Sequence, residues 1–213
     1  MPENSREAIL ADIRKTLQHA PGAPPPPAPR ALPPRAAAAS EEEIEKLVTE
    51  INALKGWACR LNRAAVPQAL ADLVKNESIR RAVTWNTPGL AQLGVRERLR
   101  GLGVEVIPHD AEKQVMAEAE LGITEADFAL PETGTIALLS SPDKPRSVSL
   151  LPRVHLAILH SSALRADLHE VFAEAKNEGY LIFITGPSRT SDIELITTIG
   201  VHGPRSLYVW ILE

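Results

Sequence analysis

The chain has 213 residues and a formal net charge of −4, with 44% hydrophobic and 23% charged residues, a composition typical of a protein that folds around a buried core. This charge does not indicate a dedicated nucleic-acid binder. The single cysteine, Cys59, excludes an intramolecular disulfide and a cysteine-ligated zinc or iron–sulfur site. The chain lacks the run of about 18 apolar residues that predicts a membrane span. It also lacks a signal-peptide pattern, so we expect a cytoplasmic protein.

The N-terminal part differs in composition from the rest of the chain. Apolar residues recur every four positions, at Ile9, Ile13 and Leu17. This spacing predicts an amphipathic helix, to which we assign residues 1–20. Eight prolines follow between positions 21 and 34, and such a segment favours an extended spacer. We therefore expect a proline- and alanine-rich linker over residues 21–39 and an α/β domain over residues 40–213.

From Ser40 onward, helix and strand patterns alternate. Helical spacing is found over residues 41–55, 67–76, 90–102, 110–121 and 167–178. Apolar runs typical of strands are found over residues 57–61, 79–85, 104–108, 126–130, 135–139, 155–159, 180–185 and 207–212. This alternation predicts an α/β three-layer sandwich, in which a mainly parallel central sheet is flanked by helices. In the helix over residues 167–178 we expect Leu168, Val171, Phe172 and Ala175 to face inward. We expect Gly179 to cap its C-terminus.

A turn between two apolar runs provides the first candidate site. Pro131 and Gly134 favour a sharp bend, which would hold Glu132 next to a buried sheet. A carboxylate in such a place can act as an acid, a base or a nucleophile. Thr133, Gly134 and Thr135 would then shape the pocket. The alternative is a turn glutamate that faces water, which is the commoner environment of this residue type.

The segment after the strand at 180–185 provides the second candidate site. Its polar and small residues are Gly186, Ser188, Arg189, Thr190 and Asp192. A strand, a glycine turn and a helix start form the layout of an anion site, because free backbone N–H groups point at the ligand. Arg189 could add a bidentate contact to a phosphate or carboxylate. Alternatively, Asp192 simply caps a helix that follows.

Three further features of the sequence concern the chemistry that the predicted site could perform. His202 lies between two glycines and could act as a general acid or base, or have a structural role. The histidines lack the close spacing of a helical metal site, and the chain has neither a dinucleotide-binding glycine fingerprint nor a P-loop. Arg146 and Ser147 could face the site across from Arg189, or belong to an exposed loop with solvated cations.

Four segments together resemble the lactate utilization protein C family, the LUD-domain proteins. They are GITEADFALPETGTIALLSS from Gly122, SLLPRVHLAIL from Ser149, ITGPSRTSDIEL from Ile184 and GVHGP from Gly200. The resemblance implies an α/β fold similar to the NagB/RpiA/CoA-transferase-like sheets. It also implies a role in oxidising L-lactate to pyruvate, alongside two partner proteins that carry iron–sulfur clusters.

The resulting hypothesis is a subunit of an L-lactate utilization system. It would bind a small anionic ligand between the Glu132 turn and the loop from Ser188 to Thr190. Arg189 would hold the anion, and Glu132 and His202 would transfer protons. No intrinsic cofactor is evident, so iron–sulfur clusters are expected on the partners, and a homo-oligomer is left open. The alternatives are an autonomous acyl-CoA transferase or sugar-phosphate isomerase that uses Glu132, and a non-catalytic scaffold that binds a metabolite.

Overall fold

The computed structural model describes residues 4–17, 33–37, 40–190 and 198–213. The chain divides into two compact units, Met1–Pro33 and Pro34–Glu213. The first unit contains helix α1, Asn4–Leu17, in agreement with the predicted N-terminal helix. Residues 33–37 of the predicted linker have no regular structure, and its other residues lie outside the described part of the chain.

The second unit contains a six-stranded sheet in which every pair of neighbouring strands is parallel. Its strands, in chain order, are β1 Trp57–Leu61, β2 Arg81–Thr84, β3 Glu105–Ile107, β4 Leu121–Glu125, β7 Val154–His160 and β11 Ser206–Leu212. Their order across the sheet is β1-β11-β7-β4-β2-β3. Strands β4 and β7 are almost entirely buried, as expected of parallel strands covered on both faces. The predicted fold class is confirmed.

The helices of this unit are mostly short. They are α2 Ser40–Ala53, α3 Val66–Asn76, α4 Pro88–Gln92, α5 Val95–Gly101, α6 Lys113–Met116, α7 Ser147–Leu150 and α8 Leu168–Glu174. The helical segment over residues 90–102, for which the sequence predicts breaks at Gly94 and Gly101, is divided at Gly94, which adopts a φ of +61°, a left-handed conformation that ends a helix. The helix predicted over residues 110–121 is reduced to α6.

The helix predicted over residues 110–121 is shorter than expected because of Glu120. Its carboxylate accepts the backbone N–H groups of Arg80 and Arg81 at 2.8 and 2.7 Å. The acidic run therefore ends at the sheet, where β4 begins, instead of continuing as a solvated helix. Periodicity alone could not distinguish the two arrangements.

A second sheet contains three antiparallel strands: β5 Phe128–Leu130, β6 Thr135–Leu139 and β8 Leu181–Ile184, in the order β5-β6-β8. The prediction did not separate these strands from the parallel sheet. The connection from Pro131 to Gly134 has only four residues, and parallel neighbours need a crossover of about a dozen residues or more. The short turn therefore requires β5 and β6 to be antiparallel.

The inward face predicted for the helix at 167–178 is only half correct. Val171 and Ala175 are buried in a small cluster with Phe128, Leu130 and Ala137. Leu168 and Phe172 are 45% and 56% exposed. The helix ends before Gly179, with Ala175 as its C-terminal cap residue, so the prediction that Gly179 caps it is wrong.

Candidate functional site

The two segments predicted to form a site meet at the junction of β6 and β8. The hydroxyl of Thr135 lies 2.8 Å from the hydroxyl of Thr133 and 2.8 Å from that of Thr185. Thr135 is buried, whereas Thr133 and Thr185 are exposed. These hydrogen bonds connect the turn after β5 to the end of β8.

Both glycines of these segments pack against the C-terminal end of α2 or the residue that follows it. Gly134 has a φ of +59°, and a Cβ built on it would lie 2.8 Å from the backbone of Glu50 and Ile51. Gly186 has a φ of +80°, and its built Cβ would lie 3.1 Å from the carbonyl oxygen of Leu54. Any side chain would therefore strain the backbone and push α2 away. The two turns are fixed in place by the same helix.

Glu132 projects from a 3-10 turn, Pro131–Thr133, and its side chain is 56% exposed. Its carboxylate lies 3.5 Å from Nε of Arg35. Arg35 also donates to both carboxylate oxygens of the buried Glu43 at 2.8 and 2.9 Å, and its backbone N–H donates to Asp167 at 2.6 Å. Glu132 is thus the most exposed acid of a cluster around Arg35, which attaches the segment just before α2 to the rest of the second unit. Its role in proton transfer stays a prediction.

Arg189 is exposed, and its guanidinium donates to the carbonyl oxygen of Leu54, just beyond the end of α2. A cation at the C-terminus of a helix is favourable, because carbonyl groups there lack partners within the helix. Arg189 and Thr190 form the short strand β9, which pairs with β10, Thr198–Ile199. Asp192 and the helix predicted after it lie outside the described residues. Binding of an anion by Arg189 stays a prediction.

A cleft of about 220 Å³ collects three of the predicted residues: Gly186, Ser188 and His202. We call it the His155 cleft. Its other polar residues are Ser149, Thr185 and His155, and its apolar walls include Leu150, Ile182, Ile184 and Leu207. Glu132 and Arg189 are not among the described residues that line it. The structure therefore groups part of the predicted site around a residue that the prediction did not include.

Two backbone hydrogen bonds fix Ser188 in the wall of the cleft. Its N–H donates to the carbonyl of Pro204 at 2.9 Å, and its carbonyl accepts the N–H of Gly200 at 2.9 Å. These bonds hold the loop after β8 against the segment that contains His202. The side chain of His202 is exposed, so it can reach a ligand that enters from solvent.

His155, the second residue of β7, is 1% exposed. Its Nε2 lies 2.9 Å from the hydroxyl of Thr124, and its Nδ1 has no hydrogen-bond partner among the described residues. Burial lowers the pKa of His155 from 6.5 to about 3, so the ring is neutral at pH 7. An unpaired buried polar atom costs about 1–3 kcal/mol, and a water or ligand atom in the cleft would remove that cost.

Gly122 makes room for the other wall of the cleft. It pairs with His155 across β4 and β7, and a Cβ built on it would lie 1.9 Å from the carbonyl oxygen of Val148 in α7. The backbone of α7 therefore lies directly on the sheet beside the histidine. The sequence feature that points to His155 is its position within an apolar strand. A buried polar group needs a hydrogen-bond partner, so a histidine at such a position indicates a contact with another polar group.

Comparison with known proteins covers the segments that form the His155 cleft and the junction of β6 and β8. The family model of the LUD domain matches residues 37–212. The chain belongs to the LUD-domain family. The His155 cleft and the junction of β6 and β8 both lie within the matched residues. The predicted family is confirmed.

Several curated relatives of this LUD-domain chain share a name. It is 39% identical over 154 residues to lactate utilization protein C of Halalkalibacterium halodurans, covering 67% of this chain and 67% of that protein. It is 33% identical to the protein of the same name from Shouchella clausii, covering 64% of each. The alignments thus span about two thirds of these relatives. A DUF162 family protein from Deinococcus radiodurans has a similar fold, with a TM-score of 0.61 and 19% identity over 83% of this chain and all of that chain.

Two properties of the described part of this LUD-domain chain concern metals and membranes. Among the described residues, no group of three or more His, Cys, Asp or Glu side chains is arranged to hold a metal ion. No helix in the described part of the chain is both long and apolar enough to span a bilayer.

Proposed function

We propose that this LUD-domain protein serves in lactate utilization and that the His155 cleft binds a small carboxylate, lactate or its product pyruvate. The unpaired Nδ1 of His155, a residue that lines the same cavity as Ser188 and His202, is the observation that carries the proposal. The cavity volume of about 220 Å³ is below the roughly 300–1,000 Å³ of pockets that hold drug-sized ligands. It suits a metabolite of a few heavy atoms.

The chemistry of the cleft suits such a ligand. The neutral ring of His155 can form one hydrogen bond with the hydroxyl of lactate or with the keto oxygen of pyruvate. Ser188 and His202 can bind the carboxylate near the opening, and His202 can take up a proton. The apolar walls around Leu150 and Leu207 can accommodate the methyl group.

Oxidation of lactate to pyruvate removes two electrons and two protons, so the reaction needs an electron acceptor. An iron–sulfur cluster is normally held by four thiolates, whereas this chain has one cysteine, Cys59. The residues of this chain therefore do not fit a cluster. We propose that two partner proteins carry the clusters and that this chain binds the small anion.

The surroundings of Glu132 favour this proposal over a free-standing transferase or isomerase. Such an enzyme would need the carboxylate enclosed with its substrate. Glu132 is instead more than half exposed and paired with Arg35. A nucleophile in this position would be open to water and held by a cation that also binds Glu43.

The proposal is tested by calorimetric titration of lactate and pyruvate into the full chain. Ser188→Ala and His202→Ala should each weaken binding about two- to tenfold, the effect of losing one hydrogen bond. His169→Gln is the matched control, because His169 is an exposed histidine outside the cleft. Equal affinity in all four proteins would reject the cleft as the binding site.

A second experiment tests the wider system. Lactate-dependent reduction of an artificial electron acceptor is measured with this protein alone and with the two proposed iron–sulfur partners. Activity is expected only in the mixture and should be lost when this chain is omitted. Activity of this chain alone would contradict the assignment of the redox centres to its partners.

A further inference from the structure

A second, larger cavity adjoins the His155 cleft and shares only Leu150 with it. Its volume is about 520 Å³, within the roughly 300–1,000 Å³ of pockets for drug-sized ligands. We call it the Arg146 cavity. It is lined by Lys113, Ser140, Ser141, Pro145, Arg146, Ser147, Leu150, Leu151 and Tyr180.

The charge of the Arg146 cavity is positive. Neither Arg146 nor Lys113 forms an ion pair within the described ranges, and no described acidic residue lines the cavity. Two of the acids on the neighbouring segments are engaged elsewhere. Asp143 accepts from Asn86 at 2.8 Å, and Asp127 pairs with Lys144. The two cations are therefore available to an anion.

Two serine hydroxyls in the cavity also lack strong partners. The Oγ of Ser140 is buried without a hydrogen-bond partner among the described residues. The hydroxyl of Ser147 donates to the sulfur of Met116 at 3.1 Å, and a thioether is a weak acceptor. Buried polar groups are normally paired, so the hydroxyl of Ser140 indicates a ligand that brings an acceptor, and the hydroxyl of Ser147 could exchange its weak partner for a stronger one. Several donors beside two cations are the groups that bind a phosphate.

The remaining wall is apolar and accessible. Leu150 and Leu151 are 39% and 40% exposed, and Tyr180 is 61% exposed. The guanidinium carbon of Arg146 lies 4.9 Å from the ring centroid of Tyr180, so cation and ring form one surface. Apolar side chains in a concavity are typical of a site for an organic ligand. Inorganic phosphate would leave this wall uncovered.

We propose that the Arg146 cavity binds a phosphate monoester that carries a flat aromatic group. Arg146 and Lys113 hold the phosphate, and Ser140 and Ser147 donate to it. The aromatic group covers Leu150, Leu151 and Tyr180. The inference does not depend on lactate binding, because the two cavities share no polar residue.

The test uses 4-methylumbelliferyl phosphate, with 4-methylumbelliferone and inorganic phosphate as its two halves. Calorimetric titration at constant ionic strength should give the ester at least about tenfold higher affinity than either half. Arg146→Gln and Lys113→Gln should each weaken binding of the ester about tenfold or more, as expected for a lost charge-assisted hydrogen bond. Both side chains are exposed, so both variants should fold.

Arg100→Gln is the matched control, because Arg100 is an exposed cation of α5 outside the cavity. It should leave the affinity for the ester unchanged. The proposal is overturned if inorganic phosphate binds as tightly as the ester, or if Arg146→Gln has no effect. An equal loss in Arg100→Gln would also overturn it, since that result would indicate attraction by net charge alone. Lactate affinity should be the same in the native protein and in Arg146→Gln, whether or not lactate binds at the His155 cleft.

Discussion

The two cavities on either side of Leu150 differ in how they recognise a ligand. The His155 cleft is lined by residues of both sheets, from β7, β8 and β11, and it contains a neutral histidine that is 1% exposed. The Arg146 cavity is built from turns at the surface, and its central groups are exposed cations. A buried neutral group selects by hydrogen-bond geometry, whereas surface cations select by charge. The two neighbouring cavities can therefore bind chemically different ligands.

Helix α7 is the element that both cavities share. Ser149 faces the His155 cleft, Ser147 faces the Arg146 cavity, and Leu150 lines both. The helix has only four residues, so its position depends on contact with the sheet at Gly122. A change at this contact should affect both sites, whereas a change in one wall should affect one site.

The largest effect is expected for Gly122→Val. A Cβ at this position would lie 1.9 Å from the carbonyl oxygen of Val148, so α7 must move or the sheet must distort. We expect a loss of about 3 kcal/mol or more in the free energy of unfolding, with weaker binding at both cavities. Denaturant unfolding measures the first effect and calorimetry the second.

Gly101→Ala is the control for this experiment. Nothing lies within 4 Å of a Cβ built on Gly101, and its φ is not positive. This change should alter stability by no more than about 1 kcal/mol, in the stabilising direction. If Gly122→Val were as stable as Gly101→Ala, the close approach of α7 to β4 would be wrong.

The next effect is a pH dependence that belongs to the His155 cleft alone. The folded-state pKa of His155 is about 3, below its ordinary value of 6.5. The unfolded chain therefore binds a proton as pH falls below about 6.5 while the folded protein does not, so acid favours unfolding. At about 1.36 kcal/mol per pKa unit, His155 should cost about 2.5 kcal/mol between pH 7.5 and pH 4.5.

The measurement compares the native protein with His155→Gln by denaturant unfolding at pH 7.5 and pH 4.5. All other titratable groups are present in both proteins, so the difference isolates His155. The native protein should lose about 2.5 kcal/mol more than the variant over this interval. Equal losses would mean that the histidine gains a proton in the folded state and is not buried as a neutral group.

A third experiment tests whether the two cavities are independent. Arg146→Gln should lower affinity for the aromatic phosphate by about 1.4 kcal/mol, the equivalent of tenfold, and leave lactate affinity unchanged. Ser188→Ala should lower lactate affinity by about 1 kcal/mol and leave the phosphate affinity unchanged. Both affinities are measured on each protein. Loss of both ligands in one variant would contradict two separate sites.

Sequence patterns predict the parallel sheet because its strands, such as β7 and β11, contain continuous apolar runs with clear boundaries. They did not predict β4, because Gly122 and Thr124 interrupt its apolar pattern. The reason for these residues lies outside the strand itself. Gly122 accommodates α7, and Thr124 contacts His155.

The candidate site was predicted only in part for a related reason. The segments around Gly134, Gly186 and His202 were recognised by their turns and glycines, and Gly186 and His202 line the His155 cleft. His155 was read as the start of a buried strand. Its unpaired nitrogen depends on long-range packing, which periodicity does not encode. In the same way, the sequence could not show that Arg189 contacts Leu54.

The smallest effect is expected for Glu132→Gln. The carboxylate is 56% exposed and 3.5 Å from Arg35, and an exposed ion pair of this kind contributes about 0–1 kcal/mol. Lactate affinity should be unchanged, because Glu132 does not line the His155 cleft. The matched comparison is Glu43→Gln, because Glu43 is 5% exposed and binds Arg35 with both oxygens. Denaturant unfolding should show a several-fold larger loss for Glu43→Gln. If Glu132→Gln instead abolished turnover in the reconstituted system while stability stayed constant, Glu132 would be the catalytic carboxylate, and the ligand would lie at the junction of β6 and β8.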